Sequence, residues 1–76
     1  MKLKAEIRAF GDPESIYKCF QQEQKEDDRS SFRIKKEKEG VLFLAEANDS
    51  VALRASLNSI AKLLIVYEKI GGIKNG

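Results

Sequence analysis

The sequence has no histidine and no tryptophan, and it has a single cysteine and a single proline. Without histidine it lacks the side chain most often used as a general base near neutral pH and as a zinc ligand. A lone Cys19 cannot close an internal disulfide or build a thiolate metal site, which points to an intracellular setting. Long apolar runs are missing as well. The longest, Leu63-Leu64-Ile65-Val66-Tyr67, falls far short of the roughly 20 residues that a bilayer span requires, so no membrane association is expected. The opening residues Met1-Lys2-Leu3-Lys4 run straight into alternating charge without a long apolar stretch, so no secretory leader is expected. No nucleophile stands beside a base in any recognisable motif, and Gly11 and Gly40 lack the spacing that cradles phosphate. The expectation is a soluble, cytoplasmic protein that is not an enzyme and carries no catalytic residue, metal or cofactor.

What the chain does contain is an ordinary globular balance. Of its 76 residues, 42% are hydrophobic and 34% charged, which is too apolar for a disordered chain and suits a single domain over residues 1–76. A core this small is often completed by oligomerisation. The net charge of +2 is too small to imply nucleic-acid binding by itself.

Residues 2–10 alternate, with Leu3, Ala5, Ile7 and Ala9 on one face and Lys2, Lys4, Glu6 and Arg8 on the other, as a half-buried strand does. Gly11 ends it. Asp12-Pro13-Glu14 supplies a cap, a first-turn proline and a dipole-matched acid, and predicts a helix to about Gln24. Ile16, Tyr17, Cys19 and Phe20 form its apolar side, with Cys19 read as packing. Lys25 to Ser30 reads as a surface connection. Ser31 to Lys38 alternates again, Glu39-Gly40 is a plausible hairpin turn using the positive φ open to glycine, and Val41 to Ala47 is a third strand. Both faces of this third strand are apolar, which places it centrally and asks for a cover on each side. Asn48-Asp49-Ser50 opens a last helix that should reach about Ile70, where Gly71-Gly72 can stop it.

That last helix carries two apolar stripes. Leu53, Leu57, Ile60, Leu64 and Tyr67 recur at helical spacing and are assigned to the core. Beside them run Ala52, Ala55, Ser56, Ser59, Leu63, Val66 and Ile70, small at first and bulky later. The first helix is too short to cover all of the second stripe, so these seven residues are the candidate partner surface. Arg33, Lys35, Lys36 and Lys38 cluster on the second strand, with Lys2, Lys4 and Arg8 on the first. They serve either as a solvated face or as contacts to a nucleic-acid backbone.

The run Ala45-Glu46-Ala47-Asn48-Asp49-Ser50-Val51-Ala52-Leu53-Arg54-Ala55-Ser56-Leu57-Asn58-Ser59 resembles the Pcc family, as does the order strand-helix-strand-strand-helix. These are small dimerising subunits of the KEOPS complex, related to cancer/testis antigen-type proteins. The resemblance implies an α+β fold of order β-α-β-β-α, with a three-stranded antiparallel-type sheet and two helices packed on one face. It implies a non-catalytic adapter, a homodimer or a heterodimer with a paralogue formed through the sheet. Its helices would bundle with those of the threonylcarbamoyl transferase subunit, and it would support tRNA threonylcarbamoyladenosine modification with tRNA held in the complex. A stand-alone small RNA-binding module is the alternative. Against that alternative, the strands show no exposed aromatics of the kind that stack bases.

Overall fold

Two aspartates decide where the helices begin. Asp12 accepts the Ser15 backbone N–H at 3.2 Å, and Asp49 accepts that of Ala52 at 2.8 Å, each satisfying an otherwise orphaned amide of a first turn. The computed structural model describes residues 1–70. Along the chain run β1 (Leu3–Phe10), α1 (Pro13–Phe20), a single 3-10 turn (Gln21–Glu23), β2 (Lys25–Glu26), β3 (Ser30–Lys36), β4 (Gly40–Ala47) and α2 (Ser50–Lys69). The stop assigned to Gly71-Gly72 lies outside the described residues.

The strands form one antiparallel sheet of order β1-β4-β3-β2, with the apolar β4 at its centre as expected. It has four strands where the sequence predicts three. The extra one lies in the stretch read as a surface connection. Asp27 Oδ1 accepts the backbone N–H groups of both Arg29 and Ser30 at 2.9 Å, and its own N–H donates to the Ser30 carbonyl at 2.9 Å. This aspartate-centred turn folds Lys25–Glu26 back on Phe32 and Ser31. Beyond β2, the Gln24 side-chain carbonyl continues the pairing by accepting the Ile34 N–H at 3.0 Å. A two-residue strand has no period to read.

The second turn also differs from expectation. Lys36 already pairs with Val41, Glu37 N–H donates to the Gly40 carbonyl at 2.8 Å, and Gly40 sits inside β4. Among the described glycines only Gly11, at φ 157°, has positive φ. Gly40 is required for another reason: a Cβ there would lie 1.9 Å from the Ala9 carbonyl oxygen. The position tolerates only a hydrogen because β1 passes so close.

One sheet face is packed and the other is open. On the packed face, Val41, Phe43, Ala45, Phe32 and Ile34 meet Ile16 and Phe20 of α1 and Ile60 and Tyr67 of α2, all buried. Phe43 centres this core, its ring 5.1 Å from Phe20 and stacked at 6.0 Å on Phe32. Leu53, Leu57 and Leu64 pack against the same cluster, as the first stripe predicts. The buried Tyr67 hydroxyl shares a 2.7 Å hydrogen bond with Ser15 Oγ, joining the two helices. Cys19 departs from expectation: it is exposed, because Ile16 and Phe20, one turn apart, take the sheet-facing positions of α1.

On the open face Leu42 is only 6% exposed. Arg8 and Lys35 are its register partners on either side, long side chains whose aliphatic stems can shield an apolar neighbour. The second face of β4 therefore needs less outside cover than its sequence suggests.

Candidate partner-binding groove

α2 contributes most of the apolar surface left uncovered. Only Ser56, Ile60 and Tyr67 of its 20 residues are buried, while Val51, Ile65, Val66 and Ile70 project into solvent. Its mean hydropathy over 18 residues reaches 1.2, so by length and composition alone it is long and apolar enough to cross a membrane, contrary to the reading from unbroken runs. Mostly buried core helices pass the same test; here only one face, the leucine stripe, is packed on the sheet and most of the helix is uncovered.

The structure divides the seven candidate residues, six in α2 and Ile70 at its C-cap, into two groups. Ala52, Ala55, Ser56, Ser59 and Leu63 line one wall of a groove of about 520 Å³. Val66 and Ile70 lie beyond it at the C-terminal end, 55% and 71% exposed. Leu63 also touches the domain's own core and is half-buried. α1 meets α2 at Tyr67, so the groove has no helix on its other side. Its opposite wall is Phe32 with Glu23, Lys25 and the β2–β3 turn from Asp27 to Ser30.

Sequence reasoning missed that second wall. Its visible signal was an aspartate followed by arginine and serine, the side-chain chemistry of a tight turn. The turn is clamped to the start of α2. Asn48 Nδ2 donates to the Asp28 carbonyl at 2.8 Å, Asn48 N–H donates to the Arg29 carbonyl at 3.0 Å, and Arg29 Nη2 donates to Asp49 Oδ2 at 3.2 Å. These bonds fix the width of the groove. Backbone N–H groups of Ser30 and Arg29 hold the Asp27 carboxyl below its ordinary range. The Ala52 N–H, and then Arg29, do the same for Asp49. Both stay ionised near neutral pH.

The basic candidates do not form one patch. Arg33 and Lys35 face the open side of the sheet, where Arg33 pairs with Glu26 at 2.9 Å. Lys36 faces the helices, donates to Glu14 at 2.9 Å and lies 5.0 Å from the centre of the Tyr17 ring. Lys38 is in the turn before β4. Lys2 and Lys4 share Glu46 at 3.6 Å, and Arg8 pairs with Glu37 at 3.0 Å. Of the four named candidates, only Lys35 and Lys38 make no ion pair among the described residues. One aromatic does stand out on that face. Phe10 is 70% exposed at the end of β1, opposite Gly40, contrary to the expected lack of exposed aromatics on the strands.

A family model described as transcription factor Pcc1 matches residues 5–70, from β1 to the end of α2. The chain belongs to the Pcc1 family. Pcc1 proteins are small, non-catalytic subunits associated with the KEOPS complex and its tRNA modification, and the match includes the whole groove. No curated protein and no solved structure matches the chain. Among the described residues no group of three or more potential ligands is placed to hold a metal ion.

Proposed function

We propose that this Pcc1 protein is a dimerising adapter of KEOPS that binds the threonylcarbamoyl transferase subunit along α2 and so supports tRNA threonylcarbamoyladenosine formation. The observation that carries this reading is α2 itself: a helix of 20 residues with three buried, bordered by a groove, with Val66 exposed near its end and Ile70 exposed at its C-cap. A continuous apolar face of this kind marks a protein partner. Dimerisation is assigned to the free edge of β1. That edge is eight residues long, whereas β2 at the other edge has two, and the open sheet face carries ion pairs over an already covered Leu42. Light scattering of the protein alone and mixed with the transferase subunit tests both parts. A dimer that also captures the transferase is the expected result; a monomer that leaves the transferase free would sink the reading.

Exposed Phe10 favours a second reading, a stand-alone RNA-binding module in which a base stacks on that ring. Tight, salt-sensitive binding of single-stranded RNA by the isolated protein, lost in Phe10→Ala and Lys35→Glu variants, would favour it over the adapter.

A further inference from the structure

We infer that Gln24 and Asp27 limit assembly: their side chains close the outer edge of β3, so a second copy of the chain adds only at β1 and the sheet stops growing at a dimer. This goes beyond the adapter reading and rests on its assignment of β1 as the dimer edge.

Backbone alternation shows which groups each edge presents. Gly11 N–H donates to the Glu39 carbonyl in continuation of the β1–β4 register, so the odd-numbered residues of β1 turn their backbone groups toward β4. Those of Lys4, Glu6, Arg8 and Phe10 point away from the sheet and meet no partner among the described residues. This edge is a ladder ready for another strand.

The same rule applies to β3. Glu37 N–H donates to the Gly40 carbonyl in continuation of the β3–β4 register, which turns the backbone groups of Ser30, Phe32, Ile34 and Lys36 outward. Left open, this seven-residue edge would be a second template for strand addition, with the buried Phe32 and Ile34 at its centre. It is closed instead. Asp27 Oδ1 accepts the Ser30 N–H at 2.9 Å, Phe32 pairs with Lys25 of β2, and Gln24 Oε1 accepts the Ile34 N–H at 3.0 Å.

The Asp27 and Gln24 acceptors are side chains. A side chain satisfies an amide without presenting a backbone of its own, so the ladder ends there. Gln24 Nε2 donates to the Gln21 carbonyl at 3.3 Å, which holds the side-chain oxygen toward Ile34. Within β2 the backbone of Glu26 faces outward, and its carboxylate is paired with Arg33, a charged residue on the rim of the sheet.

The number of open edges decides the kind of assembly. With one, two copies pair β1 to β1 about a two-fold axis and no ladder remains to extend. With two, β1 of one copy adds to β3 of the next, and this head-to-tail contact leaves an open edge at each end, so the sheet grows without closing.

Sedimentation velocity over a range of protein concentrations tests this. The unaltered protein is expected to stop at the dimer. Gln24→Ala with Asp27→Ala removes both side-chain acceptors and is expected to raise the average mass at least about twofold above the dimer, increasingly so with concentration. Adding Glu6→Pro removes an outward N–H from β1 and is expected to abolish the larger species; larger species that persist are unspecific aggregates and overturn the pairing. Gln24→Glu keeps an acceptor facing Ile34 and is expected to remain dimeric, and growth of that variant would also overturn the cap. Circular dichroism checks folding, and Gln24→Ala alone, which leaves the Asp27 turn intact, decides if the double variant does not fold. A folded variant without the acceptors that stays at the dimer mass overturns the inference while leaving β1 as the dimer edge. A monomeric unaltered protein removes the β1 assignment and this inference together.

Discussion

Gly40 shows how a single residue can be constrained by a neighbour distant in sequence. Its backbone is ordinary strand, and the demand for glycine comes from the Ala9 carbonyl 1.9 Å from where a Cβ would sit. Gly40→Ala should therefore destabilise the domain by about 2 kcal/mol or more, as a steric insertion into packed structure does. Urea denaturation measures this, and a loss below about 0.5 kcal/mol, the level of an indifferent surface change, would refute the clash. Three carboxyls set the acid response. Lys36 holds Glu14 below its ordinary range, as backbone N–H groups hold Asp27 and Asp49. Carboxyls lowered on folding stabilise the fold above their ordinary values of 3.8 to 4.5, and that contribution is lost as pH falls through the folded values. The melting temperature should hold from pH 7 to about pH 5 and drop below about pH 4. A melting temperature at pH 3 equal to that at pH 7 would contradict this.

At the scale of the element, α2 has two jobs on two faces, and substitutions should separate them. Ile60 is buried against the sheet, so Ile60→Ala should cost about 2–5 kcal/mol of stability through lost burial and the cavity left behind. Val66 is 55% exposed, so Val66→Asp should leave the denaturation midpoint nearly unchanged while weakening capture of the transferase. Equal effects of both substitutions on stability would mean that the helix is packed differently. The core stripe of α2 was legible because Leu53, Leu57, Ile60, Leu64 and Tyr67 repeat with the period of the helix. The groove was only half legible. Ala52, Ala55, Ser56 and Ser59 announce one wall, but Phe32 and the Asp27 turn join it through hydrogen bonds to Asn48 and Asp49, and no local pattern reports those.

At the scale of the whole molecule, the sheet has one long free edge and one short one. If the protein dimerises through β1, amide exchange across Leu3–Phe10 should slow as concentration brings the dimer together, while Lys25–Glu26 exchanges as before. Slowing confined to α2 would move the dimer contact to the helices.

The sequence by itself determined both helix starts, the alternating strands, the central place of β4 and the membership of the Pcc1 family, because caps, periodicity and motif are local properties. Only the tertiary structure decided the fourth strand and the reason for Gly40. It also decided that Leu42 is buried on the open face and that a groove opens beside the small residues of α2. Each of these depends on which residues distant in the chain are brought within contact range, and register and packing set that.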